Sequence, residues 1–288
     1  MLHDLAFGRL ENEFRILSPQ KGDIVVCIQD SSILVCRDKL DALQLPTYEQ
    51  VLEWAEAGNW NHWNEEKFQY VFRMQDVNYF IWMGEAGDCP DSAYTYEASR
   101  TLRQVVSKHI CYAAMTAWHL FVWYRNSRFC GRCGEMTVHD SKERMMRCPH
   151  CGNMIFPRIA PSVIVGVTDG DRLLLSKYAN RAYTRYALIA GFTEIGETAE
   201  QTVEREVMEE VGLKVKNIRY YKSQPWGIAG NVSIGFFCDL DGDDKVTLDE
   251  TELASAEWFH RDNIPAEDDG ISLTREMIRI FSEGKEPK

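Results

Sequence analysis

Short apolar runs bounded by polar turns open the chain, at Ile24–Ile28 and Ile33–Cys36, and they predict strands. From Glu97 to Tyr124 the spacing becomes helical. Leu102, Val105, Val106, Ile110, Ala113, Ala114, Ala117, Leu120 and Phe121 recur on one side, with Arg100, Arg103 and Lys108 on other arcs. A long amphipathic helix packing a first domain explains that pattern better than any cofactor role for its aromatic residues. After Pro157 and Pro161 the pattern returns to strands. Ser162–Thr168 reads as a buried strand by its valines and isoleucine, Asp169-Gly170-Asp171 is a turn, and Arg172–Ser176 is the expected hairpin partner. A helix is expected over 198–211, strands at Arg219–Tyr221, Ser233–Leu240 and Ala256–Phe259, and a last helix over about 272–282. Leu273, Met277, Ile278 and Phe281 give that helix its core face. No internal repeat, low-complexity tract or heptad pattern interrupts the sequence.

The chain has 288 residues, 45% of them hydrophobic and 26% charged, enough for two globular domains or two plus a small module. It has no run of about eighteen apolar residues, and its first residues lack the basic-then-apolar pattern of a secretion signal. A soluble, cytoplasmic chain with no membrane partner is expected. The net charge of -12 repels polyphosphate at long range, which argues against general affinity for a nucleic-acid backbone. An anionic substrate then needs local help from divalent cations or a few basic groups.

The nine cysteines separate into a cluster, Cys130, Cys133, Cys148 and Cys151, and five scattered residues that read as plain buried thiols. Cys130-Gly-Arg-Cys133 and Cys148-Pro-His-Cys151, fourteen residues apart, form two knuckles whose thiolates can converge on one structural Zn²⁺ with no open position. Gly131, Gly134 and Gly152 permit the tight turns. A redox disulfide pair competes for either knuckle, but two knuckles at this spacing disfavour it. His139 and His150 could replace a sulfur, yet four sulfurs already satisfy the ion. The segment mixes Glu135, Asp140 and Glu143 with Arg132, Lys142, Arg144 and Arg147, so a nucleic-acid reader is a minor alternative.

The segment from Gly191 to Leu213 holds the chemistry. Thr198 with Gln201 fits a capping box, and Gly212 fits a helix stop. At about 100° per residue, Val203, Val207 and Val211 share one arc while Glu206, Glu209 and Glu210 occupy the next. Carboxylates this close raise one another's pKa unless cations lie among them, and hard oxygen ligands suit Mg²⁺ or Mn²⁺. Taken alone, a Glu-rich helix is more simply a solvated face with pairs such as Arg205 to Glu209 at i,i+4.

The whole array decides otherwise, because it resembles the Nudix box at Gly191, Glu197, Arg205, Glu206, Val207, Glu209, Glu210, Gly212 and Leu213. The resemblance implies an α+β Nudix fold, a mixed sheet sandwiched by helices. It implies catalytic Mg²⁺ or Mn²⁺ on Glu206 and Glu210, with the Ala190 carbonyl, and Glu209 as a further ligand or as the base that activates water.

A four-cysteine ribbon directly ahead of Phe156-Pro157-Arg158-Ile159-Ala160-Pro161 and a C-terminal box is similar to the NudC-type NADH pyrophosphatases, from about Phe129 to Pro265. The domains implied are an N-terminal Nudix-like α+β domain at 1–125 without its own box, a zinc ribbon at 126–156 and a catalytic domain at 157–288. Ser223-Gln224-Pro225-Trp226 resembles the start of the family's substrate motif, which continues Pro-Phe-Pro, any residue, Ser. Here it continues Gly227-Ile228-Ala229-Gly230-Asn231, a looser, glycine-rich version that favours NADH selectivity less. The resemblance further implies Glu252, six residues before Trp258, as an acidic ligand, with Glu250 as a substitute. Phe192 and Phe156 resemble the pair that sandwiches a base, Phe156 arriving from the partner of a homodimer. Gln224, Pro225, Trp226, Asn231 and Thr274 complete the implied substrate contacts. The implied reaction is hydrolysis of the pyrophosphate of NADH or NAD⁺ to NMN(H) and AMP, extending to a 5′ NAD cap on RNA. ADP-ribose, FAD or a dinucleoside polyphosphate are alternatives, and a nucleotide-sensing regulator is the reading from another class.

Overall fold

The computed structural model describes the chain except residues 7–8, 40–41, 58–66, 86, 105–106, 181–183 and 266–268. Two compact units emerge, one of residues 2–158 with 227–230, the other of Met1, 159–226 and 231–288. No helix among the described residues is long and apolar enough to cross a membrane.

The first unit begins with β1 (Ile24–Val26), β2 (Ile28–Gln29), β3 (Ser32–Arg37), β4 (Leu43–Gln44) and α1 (Tyr48–Glu56). It continues with β5 (Phe68–Met74), β6 (Val77–Trp82), β7 (Tyr94–Ala98) and α2 (Lys108–Asn126). One sheet runs β1-β6-β5 and another β2-β3-β4, with β7 also on β3. Val25, Leu34, Trp54, Tyr70, Phe80 and Trp82 meet in a core rich in aromatic rings. The helix expected over 97–124 is shorter than the sequence spacing suggests. Tyr94–Ala98 alternates at period two and pairs with β3, a 3₁₀ turn follows at Ser99–Gln104, and α2 starts only at Lys108. Val105 and Val106 lie outside the described residues. The ribbon follows as a small antiparallel sheet of β8 (Val138–His139), β9 (Met146–Arg147) and β10 (Met154–Ile155).

The second unit contains β11 (Ala160–Asp169), β12 (Arg172–Tyr178), β13 (Ile189–Phe192), α3 (Ala199–Val211), β14 (Val215–Trp226), β15 (Asn231–Leu240), β16 (Leu253–His260) and α4 (Leu273–Ser282). The sheet order is β14-β15-β11-β12-β16, with β13 paired to β11 and the β11–β15 pair parallel. Alternation along β11 sorts its two faces. Val163, Val165 and Val167 pack with Val203, Val207 and Val211 of α3. Ile164 packs on the opposite face with Leu273, Met277 and Phe281 of α4. The chain therefore forms a mixed sheet between helices, the Nudix architecture. The three α3 valines are fully buried, each contributing about 2 kcal/mol.

Helix α3 is bounded as its sequence dictates. Thr198 and Gln201 form a reciprocal capping box, worth about 1 kcal/mol. Gly212 ends the helix in the left-handed region at φ 68°, donating its N–H to the Met208 carbonyl.

Candidate active site and zinc ribbon

The four ribbon sulfurs all lie within 4.8 Å of one another. Cys130 to Cys151 is 3.6 Å, and Cys133 stands 3.5 Å from both Cys148 and Cys151. A Zn²⁺ with bonds of about 2.3 Å sets tetrahedral edges of about 3.8 Å, so the sulfurs already outline its coordination shell. Gly134 and Gly152, at positive φ, close the knuckles by donating to the Cys130 and Cys148 carbonyls. The Arg132 amide lowers the Cys130 thiol, while burial and the neighbouring sulfurs push the Cys133 thiol up, so the cluster does not hold four thiolates without a cation among them. His150 is exposed on the ribbon, while His139 bonds the Tyr124 hydroxyl at 2.9 Å.

In the second unit, Glu206 and Glu210 are buried on α3 and Glu209 is exposed. Glu206 folds over β13 at Gly191, where a Cβ would stand 1.9 Å from the Glu206 carboxyl carbon. Only glycine leaves that space, and the carboxylate fills it beside the Ala190–Gly191 backbone. Burial pushes the Glu206 carboxyl up from its ordinary value, Arg205 opposes the rise, and the charges of Glu209 and Glu252 add to it. Glu252 thus faces the same patch. It arrives because the segment after β15 runs along the end of α3, with the Thr247 and Asp249 amides donating to the Val211 and Glu210 carbonyls.

Arg205 organises the patch. Its Nε and Nη2 grip Glu197 at 2.6 and 3.0 Å, Nη2 also donates to the Phe192 carbonyl at 2.9 Å, and Nη1 reaches Glu206 at 2.7 Å and Glu209 at 2.9 Å. The i,i+4 pair with Glu209 exists, but as one arm of a hub. The carboxylates do not converge as the sulfurs do: among the described residues only the four cysteines form a group of three or more ligand atoms within 4.8 Å of one another. Three of them, Glu197, Glu206 and Glu209, share one arginine. A donor set of hard oxygens, one seated in a cradle without a Cβ, fits Mg²⁺ or Mn²⁺.

Residues 158–279 match the family model described as NUDIX domain, and residues 125–156 match that described as NADH pyrophosphatase zinc ribbon domain. A curated relative, NAD-capped RNA hydrolase NudC of Enterobacter sp. (strain 638), is 34% identical over 250 residues, covering 84% of this chain and 93% of that protein. Another of the same name, from Klebsiella pneumoniae (strain 342), is 38% identical over 181 residues, covering 62% of this chain and 70% of its own length. The chain belongs to the NudC family of Nudix hydrolases.

On the remaining residues of the expected NudC site, strand register is informative. Phe192 lies opposite Ser162, Ser162 opposite Ser233, Ser233 opposite Gln224, and Asn231 opposite Trp226. Phe192, Gln224, Trp226 and Asn231 therefore share the α4 face, whereas Glu206 lies on the α3 face at the same end of the sheet. Pro225, opposite Val232, alternates to the α3 side and is exposed. Gln224 spends both ends of its amide, donating to the Ile271 carbonyl at 2.6 Å and accepting from the Leu273 amide at 2.8 Å, and so sets the entry into α4 beside Thr274. Asn231 donates to the Ser162 and Ser233 hydroxyls at 2.6 and 3.1 Å, while its buried Oδ1 has no hydrogen-bond partner among the described residues. Phe156 and Phe192 are 53% and 52% exposed, so neither is a core residue. Glu250 is exposed.

Arg205 and Glu197 were visible only as fixed positions of the box; their grip across eight residues was not readable from helical spacing. Two results follow. Gly191→Ala is expected to displace the Glu206 carboxylate and, in steady-state assays, to lower kcat about a hundredfold with unchanged circular dichroism, since displacement by about 1 Å has that effect. Arg205 holds the Glu197 carboxyl down at about 2, below its ordinary 4.5. A depressed carboxyl stabilises the fold above the unfolded-state pKa, and the stabilisation disappears as pH falls from about 4.5 through about 2. In urea unfolding, the gap between wild type and Glu197→Gln is therefore full at pH 6 and shrinks towards pH 3.

Proposed function

We propose that the protein hydrolyses the pyrophosphate bond of NADH or NAD⁺, releasing NMN(H) and AMP, and removes the same group from the 5′ end of NAD-capped RNA. The observation that carries this is the Glu206 carboxylate seated over Gly191 within a complete Nudix box, beside a ribbon of the NADH-pyrophosphatase type. The named activity of the NudC relatives supports it. Glu206, Glu209, Glu210 and Glu252, with the Ala190 carbonyl, would hold Mg²⁺ or Mn²⁺, which polarises phosphoryl oxygens and acidifies water. Glu209 is the box carboxylate most open to solvent and is suited to accept the proton of the attacking water. That water adds to one phosphorus, the bridging P–O bond breaks, and the other phosphate departs with its nucleoside.

Phe192 and a partner subunit's copy of Phe156 would stack on a base in a homodimer, which their exposure permits. Trp226, Asn231 and Thr274 would border the second nucleoside on the α4 face, with Gln224 holding Thr274's helix in place and Pro225 turned to the α3 side of the strand. The chain divides at about residues 125 and 156 into an N-terminal domain, a Zn²⁺ ribbon and the catalytic domain, and works in the cytoplasm. A net charge of -12 limits any RNA contact to the capped end. The Gly227–Gly230 stretch makes ADP-ribose, FAD and dinucleoside polyphosphates the competing substrates. Mass analysis of products formed in H₂¹⁸O with Mn²⁺ present tests this: NMNH and AMP from NADH, one of them carrying ¹⁸O, are expected. No turnover of NADH beside rapid turnover of a competitor defeats the assignment.

A further inference from the structure

Gly227-Ile228-Ala229-Gly230 joins β14 to β15 but groups with the unit of residues 2–158. Its two glycines are there for close approach. A Cβ at Gly227 would stand 2.4 Å from the Met115 carbonyl oxygen of α2, and that atom cannot retreat because Ala113, Ala114, Met115 and Ala117 are all buried. Gly230, at φ 69°, donates to the Gly227 carbonyl at 3.3 Å, and a Cβ on it would lie 3.3 Å from His119 Nε2. One helical turn beyond Met115, His119 Nε2 stands 2.8 Å from the Arg158 carbonyl, so that nitrogen carries the hydrogen and donates. One imidazole thus stands against the turn after Trp226 and ties the segment that begins at Phe156.

We propose that Met115 and His119 form the seat of the Gly227–Gly230 turn, and that this seat, outside the Nudix domain, sets which second nucleoside the active site accepts. The proposal rests on the pyrophosphatase reading, because Trp226 and Asn231, the residues flanking the turn, lie on the same sheet face as Phe192, two residues along from the Phe192–Ser162–Ser233–Gln224 row. His119 acts as a positioning residue. It fixes the turn, and the turn fixes Trp226 and Asn231 through the chain.

The test compares full-length, zinc-loaded wild type with His119→Ala, His119→Gln and Gly227→Ala on NADH, NAD⁺, ADP-ribose and FAD in Mn²⁺. Loss of one hydrogen bond raises KM for NADH up to about tenfold in His119→Ala while kcat stays within about twofold. The kcat/KM ratio of NADH to ADP-ribose falls with it, and Gly227→Ala behaves likewise. His119→Gln, whose amide can still donate to the Arg158 carbonyl, restores the ratio. Hydrogen exchange at the Gly230 amide also quickens in His119→Ala, a readout that holds if Gly227→Ala does not fold. An unchanged substrate order and unchanged Gly230 exchange in folded His119→Ala overturn the seat, as do equal losses on every substrate. If wild type ignores NADH but turns over another member of the panel, the pyrophosphatase reading fails separately, and the seat is judged on whether His119→Ala reorders the substrates that are turned over.

Discussion

Replacing Glu210 by Gln lowers kcat at least about a thousandfold while the protein stays folded. The side chain is 3% exposed, in the last turn of α3, and its backbone carbonyl accepts from the Asp249 amide, an interaction the substitution leaves intact. Glutamine has the same shape, so Val207 and Val211 keep their packing and only a charged oxygen is lost. Metal assistance contributes several kcal/mol to such reactions, and each 1.4 kcal/mol is about tenfold in rate. Kinetics in excess Mn²⁺, beside a direct Mn²⁺ titration, separate weakened metal affinity from a lost catalytic step. Glu209→Gln, on an exposed side chain, leaves Mn²⁺ affinity closer to wild type if its role is proton acceptance. Full activity in Glu210→Gln removes it from the ligand set.

The second large effect is removal of zinc. In Cys148→Ser, or after chelation, the first thermal transition falls by about 10 °C or more, taking 1 kcal/mol as about 2–4 °C for a unit of this size. The ribbon is a staple within the unit it belongs to. Arg144 donates to the Val71 carbonyl at 2.5 Å and the Asn12 carbonyl at 3.2 Å, and burial lowers its pKa. His139 stacks on Phe14 at 5.0 Å between centroids and meets the Tyr124 hydroxyl of α2, and the Thr137 hydroxyl donates to the Ser127 carbonyl at 2.6 Å. Structural zinc supplies folding free energy outright, so without it these groups lose the frame that holds them. Calorimetry with and without chelator, against measured zinc content, checks this; an unchanged transition in zinc-free protein excludes the staple.

Elements with strong local signals were legible from the residues. Helix α3 was readable from cap to cap because Thr198, Gln201 and Gly212 announce its ends independently of its neighbours. The ribbon was legible because sulfur spacing is itself the geometry. Strand β14 shows the limit: only Arg219–Tyr221 was expected, whereas the strand runs from Val215 to Trp226. It is the edge of the sheet, and its Lys216, Asn217 and Arg219 obscure the period-two signal. The start of α2 was misplaced because Leu102, buried in the 3₁₀ turn Ser99–Gln104, keeps helical spacing with the apolar residues that follow it. Contacts made across the fold, such as Gly191 under Glu206 or Glu252 beside α3, left no periodic trace. The resemblance to the Nudix box pointed to these residues without giving their arrangement.

At one end of the Nudix sheet, ionic groups occupy one surface and neutral amides and hydroxyls the other. Under the proposed function, turnover and molecular discrimination would fall on separate sets of positions within a single layer. On that reading, substitutions in the Ser162–Asn231–Ser233 cluster would shift Asn231 and with it the nucleoside admitted, while the carboxylates on the other face continue unaltered.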